Sequence, residues 1–522
     1  MNTWIRLNQA GYTPDREKTA IVLAEQDITN AEWSIKKDGK TVISGKLSSP
    51  SKGDNIHIAQ KYYYSIDFTA LREFGEYTLE LSGAESQKII ISENPYSRFA
   101  EQAIGHLRLM RSGCPTPLTN AAHLGDAAAI VYEIDGNPEN GAWKETGRTV
   151  DMVGGHYDAG DFIKFTLTEA NMVWHLLRAY EENPALSNFG LLDEGYFGLN
   201  YLAKTLPDPN TFIIQVGDKN DHRQGRRLPE NDKLDGKRPA FCALSRAHMG
   251  MTAAALALGA RVLKNETYKN KAEAIYARAK EPDTIPSAFE RDTTNDFYHD
   301  PTDCDNMALA AVELYRLTQN ENYLADAKAY APPAAARVTW SDMHGPANHR
   351  IAQQNDPNAK ARLLQEISAY DCQNPWGLPG GKYSWGSLPL WIGMANLILL
   401  AKRLDNEQKI PSAFLNVLDY IFGRNNWGIS MLATPDLPHT VKNMYNWLYQ
   451  VMGKLAVGAL SEGPGNKERH DGLSQYFTVP KDSPLEQFNT SAAVFYDNGD
   501  DFMIQESTIW GQGSFILMLS LL

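Results

Sequence analysis

The stretch QKIIISENPYSRFAEQAIGHLRLM, residues 87–110, divides the chain into two kinds of structure. Its opening, QKIIIS, is rich in β-branched residues and closed by polar ones, the composition of a short strand. Asn94-Pro95-Tyr96 then breaks the pattern, because proline fixes its own φ and disfavours helix in the residue before it. Beyond that turn, apolar residues recur at helical spacing through RFAEQAIGHLRLM, residues 98–110.

Toward the start, TVISGKL (41–47), KYYYSIDF (61–68) and EYTLELSG (76–83) repeat the strand signal between Gly, Ser, Asp and Lys clusters. Several such strands in so short a stretch predict a small β-sandwich. Toward the end, the helical period dominates in TEANMVWHLLRAYEE (168–182), MTAAALALGARVL (251–263), DNMALAAVELYRLTQ (305–319), LWIGMANLILLAKRL (390–404) and AFLNVLDYIFG (413–423). Long loops rich in Gly, Pro, Asp and Trp separate these runs. With no strands expected among them, the pattern predicts a mainly α fold, a helical barrel or array.

The composition is that of a globular protein, with 522 residues of which 43% are hydrophobic and 22% charged. A formal charge of −13 repels phosphate backbones, so nucleic acid is not an expected partner. No run of about 18 or more apolar residues stands out, so no membrane partner is expected either. Cys114, Cys242, Cys304 and Cys372 form no CxxC pair and are expected as free thiols. The opening MNTWIRLNQAGYTPDREK has neither a basic start nor an apolar core, and predicts a cytoplasmic protein.

The densest chemical constellation is GGHYDAGDFIKF, residues 154–165. Asp158 and Asp161 stand three positions apart, just ahead of a helix. On spacing alone two readings stay open. One aspartate caps the helix and the other steadies the turn, or the pair holds a water, one carboxylate as base and the other orienting it. A second cluster, YDNGDDFMIQE (496–506), ends on Glu506, which is expected to begin a largely apolar last helix, STIWGQGSFILML (507–519). Partial desolvation there raises a carboxyl pKa and suits a general acid; a glutamate complementing the helix dipole is the plainer alternative. QVGDKNDH (215–222) reads as a polar loop. Trp340, Trp376 and Trp385 lie in loops, either as staples or as faces on which a pyranose packs. GxSxG, GxxxxGK[ST] and HExxH are absent, which leaves serine hydrolase, NTPase and zincin chemistry unsupported. His156 with Asp158 and Asp161 offers too few histidines for a hydrolytic metal centre.

In order along the chain, WIRLNQAGYTPDREKTAIV, GGHYDAGDFIKF, LLDEGYFGLNYLAKTLPD, QVGDKNDH, NPWG with SWGSLPL, LDYIFGRNNWGIS and YDNGDDFMIQE are similar to the motifs of family 9 of the glycoside hydrolases. The chain resembles the subgroup with an immunoglobulin-like module ahead of an (α/α)6 barrel. The resemblance implies an immunoglobulin-like β-sandwich over residues 1–93 and an (α/α)6-barrel hydrolase domain over residues 94–522. It implies inverting hydrolysis of β-1,4 glycosidic bonds, with Asp161 as the base, Asp158 as the partner that holds the water, and Glu506 as the general acid. Inversion needs acid and base carboxyls roughly 6.5–9.5 Å apart. Contacts to substrate are expected from His156, Tyr157, Asp221, His222, Trp340, Trp385, His439, Asp497 and Asp501.

The departures are informative. A His-His-Arg type segment reads Pro438-His439-Thr440-Val441 here, and the loop after Asp221-His222 lacks the family's Trp. Cys114 and His123 match part of a zinc site, but Ala122 stands where a second Cys belongs, so that zinc is not expected. Asp303 and Asp305 suggest a structural calcium, with Asn306 at an acidic position; catalysis itself is expected to need no cofactor. The altered loops and the predicted cytoplasmic location favour short β-1,4-linked oligosaccharides cleaved one sugar at a time. That expectation is an exo-β-D-glucosaminidase releasing glucosamine from chitosan oligosaccharides, resembling the family's intracellular exo-acting branch. An endo-β-1,4-glucanase, or a β-glucosidase on cello-oligosaccharides, is the alternative. A glucosamine pocket wants a carboxylate facing the 2-ammonium group, which the run Asp497–Asp501 is expected to supply.

Overall fold

The computed structural model describes residues 2–137, 141–289, 298–335, 337–380, 382–404 and 413–522. The chain divides into two compact units. One comprises Met1–Gln102, Asp371–Trp391 and Ser412–Glu506; the other comprises Ala103–Tyr370, Ile392–Pro411 and Ser507–Leu522.

The first unit contains a β-sandwich. Its strands are β1 (Thr3–Arg6), β2 (Thr19–Ala24), β3 (Glu32–Lys37), β4 (Lys40–Lys46), β5 (Ser51–Lys52), β6 (Tyr62–Asp67), β7 (Gly75–Leu81) and β8 (Gln87–Ile91). They form two four-stranded sheets, β1-β2-β6-β5 and β4-β3-β7-β8, with antiparallel pairings. Alternation sets the inward face: Tyr77, Leu79 and Leu81 of β7 are buried, joining Val22, Ile35 and Ile89 in one core.

The helices are α1 (Ser97–Leu109), α2 (Thr166–Glu182), α3 (Leu191–Leu202), α4 (Arg246–Leu263), α5 (Glu266–Ala279), α6 (Cys304–Thr318), α7 (Glu321–Tyr330), α8 (His344–Ala352), α9 (Pro357–Ser368), α10 (Ser387–Leu404) and α11 (Ala413–Ile421), followed near the end by a last helix, Ile509–Ser520. In the first unit α11 is tied to the segment after β1. Arg16 Nη2 lies 2.7 Å from both carboxylate oxygens of Asp419, and Asn8 Nδ2 donates to the same carboxylate over 2.8 Å. A buried carboxylate with these donors is satisfied.

In the second unit six helices close a ring. α2 packs on α4, α4 on α6 and α6 on α8. A Cβ on Gly345 of α8 would stand 2.2 Å from Leu397 of α10. Asn396 of α10 donates to the Ser514 carbonyl of the last helix over 2.9 Å, and a Cβ on Gly513 there would meet Met172 of α2 at 3.1 Å. These ring helices are buried on nearly every side, which is why they read as apolar all round. α3, α5, α7 and α9 pack against α2, α4, α6 and α8 from outside, and α5, α7 and α9 bury one face only. α10 is long and apolar enough to cross a membrane, but 72% of it is buried within the fold.

Strands do occur among the helices, contrary to the sequence expectation. β9 (Ala129–Asp135), β10 (Ala142–Val150), β11 (Lys164–Phe165), β12 (Ile213–Val216) and β13 (Pro239–Cys242) form a sheet in the order β10-β9-β13-β12-β11. Three of them are four residues long or shorter, too short to carry a periodicity.

Candidate active site

The small sheet brings Asp161 and His222 together. β11 pairs antiparallel with β12, Lys164 opposite Val216. The loop entering β11 and the loop leaving β12 therefore lie at the same end of the sheet. His222 Nε2 stands 2.7 Å from Asp161 Oδ2, while Asp161 Oδ1 accepts the Ile163 N–H over 3.1 Å.

Asp158 is buried under the same loop. Its N–H donates to the Ile163 carbonyl over 3.0 Å, and its carbonyl accepts from Ile509 of the last helix over 2.8 Å. Thr168 donates to Oδ1 and Tyr298 to Oδ2, each over 2.5 Å. Burial pushes the Asp158 carboxyl up to about 7; the two hydroxyls oppose the shift, and the charge of Asp161 adds to it. Neither aspartate caps α2, whose N-cap is Phe165 without a side-chain bond. Asp161 holds its turn, as one alternative supposed, and also meets His222.

The loop is braced from below. Lys164 Nζ donates to the carbonyls of Met152 (2.6 Å) and Gly154 (2.9 Å) and lies 2.7 Å from Asp126. Gly155 has φ +74°, and a Cβ there would stand 2.8 Å from the Tyr201 ring, so only glycine fits.

Three of the expected substrate contacts are buried. His156 is 1% exposed and sits between Glu169 (2.9 Å) and Glu194 (3.5 Å). Burial opposes its charge, but the two carboxylates outweigh that and hold the imidazolium to about 9. Tyr157 is buried, its hydroxyl 2.6 Å from His123 Nδ1. Asp221 is buried, accepting the Phe162 N–H over 3.1 Å and pairing with Arg227 at 2.5 Å. These side chains fix the loops; Asp221, at the start of the short helical turn His222–Gln224, braces the Phe162 N–H, while His222 meets Asp161.

Tyr298 and Thr168 were not singled out from sequence. Thr168 sat in a run read for its apolar period, and Tyr298 follows no motif. Its conformation is the usable signal: φ is +35°, unusual for a bulky residue. The Tyr298 ring meets Trp340 edge-on at 4.9 Å, which brings Trp340, half-buried, beside the Asp158 group.

The other expected residues belong to the first unit. Glu506 does not begin the last helix, which starts at Ile509 after its N-cap Thr508. The chain at Glu506 is extended; its carbonyl accepts the Glu462 N–H over 3.0 Å, it bridges to Tyr445, and its side chain is half-buried. Asp501, also expected to touch substrate, is 1% exposed, caps the Phe502–Gln505 turn and lies 2.8 Å from His470. Asp497 accepts the N–H groups of Lys442 (3.0 Å) and Asn443 (2.8 Å). Burial raises its carboxyl pKa against those bonds. Trp385, half-buried, has Phe502 at 5.5 Å and the Arg469 guanidinium 5.0 Å above its ring, and Trp376 is buried. His439 is exposed, its backbone clasping the amide of Gln9.

The calcium expectation does not fit the donors present. Asp303 is turned to Arg246, and Asn306 donates to Asp300 over 2.7 Å. Asp305 converges with Asp342 and His344 instead. Calcium takes about 6–8 oxygens, and an imidazole among three donors is foreign to it. His123 is held by Tyr157 and, at 2.7 Å, by Asp232.

The family model described as Glycosyl hydrolase family 9 matches residues 96–519, and that of the cellulase N-terminal ig-like domain matches residues 1–86. Endoglucanase C of Cellulomonas fimi is 26% identical over 480 residues, 81% of this chain, and the chain spans 43% of that relative's length. A cellodextrinase of Butyrivibrio fibrisolvens is 23% identical over 575 residues, covering 99% of each chain. A solved metagenome-derived glycoside hydrolase family 9 endoglucanase has a TM-score of 0.80 at 23% identity, covering 99% of this chain and 98% of the other. A thermostable endoglucanase of Alicyclobacillus acidocaldarius has a TM-score of 0.80 at 20% identity, with coverage of 99% and 98%. The architecture is an (α/α)6 barrel with an immunoglobulin-like sandwich ahead of it.

Proposed function

The chain belongs to glycosyl hydrolase family 9, and from that premise we propose that it is a β-1,4-glucanase acting on cello-oligosaccharides and longer β-glucan chains. It is an enzyme that hydrolyses glycosidic bonds with inversion. In the proposed reaction Asp161 takes a proton from the attacking water, Asp158 orients that water, and Glu506 protonates the departing oxygen. No cofactor enters these steps.

The observation that carries the roles is the inequality of the two aspartates. Asp158 is buried with both oxygens accepting hydroxyl hydrogens, whereas Asp161 keeps 15% of its side chain exposed beside His222. Glucan rather than glucosamine is supported by the names of the relatives, two of which are an endoglucanase and a cellodextrinase. The glucosaminidase expectation looked to the run Asp497–Asp501 for a carboxylate, and within it Asp501 is spent on His470 and a helix cap.

Cellohexaose and the chitosan hexamer, incubated separately and followed by chromatography, test the reading. The expected result is a mixture of cello-oligosaccharides and no glucosamine. Glucosamine released one unit at a time, with cellohexaose intact, overturns the glucanase assignment and restores the other.

A further inference from the structure

His156 stands two residues ahead of Asp158, in the loop that carries both aspartates, and each of its ring nitrogens faces a carboxylate. Nδ1 lies 2.9 Å from Glu169 Oε1 on α2, and Nε2 lies 3.5 Å from Glu194 Oε2 on α3. The His156 N–H donates to the other oxygen of Glu169 over 3.1 Å. A neutral imidazole has one N–H and one lone pair, and a lone pair turned toward a carboxylate repels it. His156, Glu169 and Glu194 are each at most 1% exposed, so water screens that repulsion little. Only the imidazolium donates on both sides.

The surroundings leave the carboxylates little freedom. Arg108 Nε stands 3.0 Å and Arg111 Nε 2.7 Å from Glu194, and the Phe197 ring meets the imidazole edge-on at 5.2 Å. A Cβ on Gly198 of α3 would stand 2.8 Å from Glu169 Oε1, so α3 closes over that side chain. Lys164, the buried cation on β11, pairs with Asp126 at 2.7 Å. Glu169 follows Thr168, which donates to Asp158 Oδ1. Adjacent residues of α2 therefore grip the loop twice, at His156 and at Asp158. Resting on the hydrolase reading above, we propose that His156 is a positioning residue for turnover: its imidazolium, held between Glu169 and Glu194, sets the loop that places Asp158 and Asp161, and loss of one ring proton slackens that loop and slows the reaction. The movement required is small, since about 1 Å of misplacement costs ~100-fold in rate.

The test compares wild type with Glu169→Gln. In the variant the amide oxygen accepts the His156 N–H, the amide nitrogen donates to Nδ1, and Nε2–H donates to Glu194, so a neutral ring satisfies every bond. The substrate is a dinitrophenyl cellobioside, whose phenolate leaves without a proton, which takes Glu506 out of the alkaline side of the profile. Wild-type kcat should fall ~10-fold or more through a midpoint of about 9 with KM little changed, while the variant stays within ~3-fold of wild type at about pH 8 and flat to about pH 10. A fall caused by Lys164, which burial lowers to about 8, would survive in the variant. Nuclear magnetic resonance of the full chain without substrate gives a second readout. His156 should carry hydrogens on both ring nitrogens at neutral pH, and the Asp158 and Ile163 amides should shift as it loses one. A wild-type profile flat through about pH 10, an alkaline fall unchanged in Glu169→Gln, or a ring that titrates without moving those amides overturns the proposal. If no cellobioside is cleaved at any pH, the glucanase reading fails, and the spectra still decide whether the ring sets the loop.

Discussion

Tyr298 donates its phenolic hydrogen to Asp158 Oδ2 over 2.5 Å from a backbone held at φ +35°. Such a conformation costs about 1–3 kcal/mol and persists only where neighbours impose it. Here Phe165 at 4.8 Å and Trp340 at 4.9 Å grip the ring edge-on. With Thr168 on its other oxygen, Asp158 is fixed in place with a lone pair left on each oxygen to orient a water, and in the proposed reaction the more exposed Asp161 takes that water's proton.

Tyr298→Phe keeps the ring contacts and removes one hydrogen bond to a carboxylate, worth about 1.5–3 kcal/mol. The expected loss in kcat is ~10–100-fold with little change in melting temperature. The Asp158 carboxyl should titrate higher than about 7, because a hydroxyl that favours its ionised form is gone. An unchanged kcat would remove Asp158 from the mechanism.

Asp158→Asn tests the same burial through stability. A carboxyl with a folded value of about 7 stays protonated in the fold while its unfolded counterpart, near 3.8, ionises. Between those two values the unfolded chain holds fewer protons, so the wild type loses stability as pH rises, on the order of a few kcal/mol in all. The variant lacks that loss. Melting of the two should diverge from pH about 4 to about 7 in favour of the variant, then run parallel; curves parallel throughout would contradict the burial argument.

Much of this arrangement was legible in the sequence because it is local or periodic. The sandwich strands alternate, the ring helices carry the apolar 3.6-residue period, and Asp158 and Asp161 stand in one twelve-residue loop. What stayed hidden depends on pairings the chain makes at a distance. β11 is two residues long, yet its pairing with β12 aligns Asp161 with His222. His156 and Asp501 stand in polar segments that suggest a binding surface, and only packing reveals Glu169, Glu194 and His470 as their partners. The apolar residues after Glu506 suggest that it begins a helix, whereas the Glu462 N–H bond to its carbonyl and its bridge to Tyr445 keep it extended.

His156 carries a stability effect of opposite sign. Its folded value of about 9 lies above the ordinary histidine value of 6.5, so the imidazolium contributes fully below pH about 6.5 and the contribution is lost as pH rises toward 9. His156→Gln leaves Glu169 and Glu194 facing each other without that charge, although Arg108 and Arg111 still hold Glu194. A loss of about 3–5 kcal/mol is expected at pH 6, shrinking toward pH 9. Denaturant melts at the two pH values measure it, and an equal loss at both would mean His156 is neutral in the fold.

Glu506 and Asp161 are separable by leaving group. A general acid matters in proportion to how badly the departing oxygen needs a proton, so Glu506→Gln should slow cellohexaose cleavage by ~100–10,000-fold. A dinitrophenyl cellobioside releases a phenolate stable without protonation, and the same variant should cleave it within about tenfold of wild type. Asp161→Asn removes the base that both substrates need and should lose ~100-fold or more on each. Substrate binding, followed by calorimetry, should survive in both variants, because an amide replaces a carboxylate of the same shape. If Glu506→Gln were equally slow on both substrates, Glu506 would be acting on the water or the sugar rather than on the leaving oxygen.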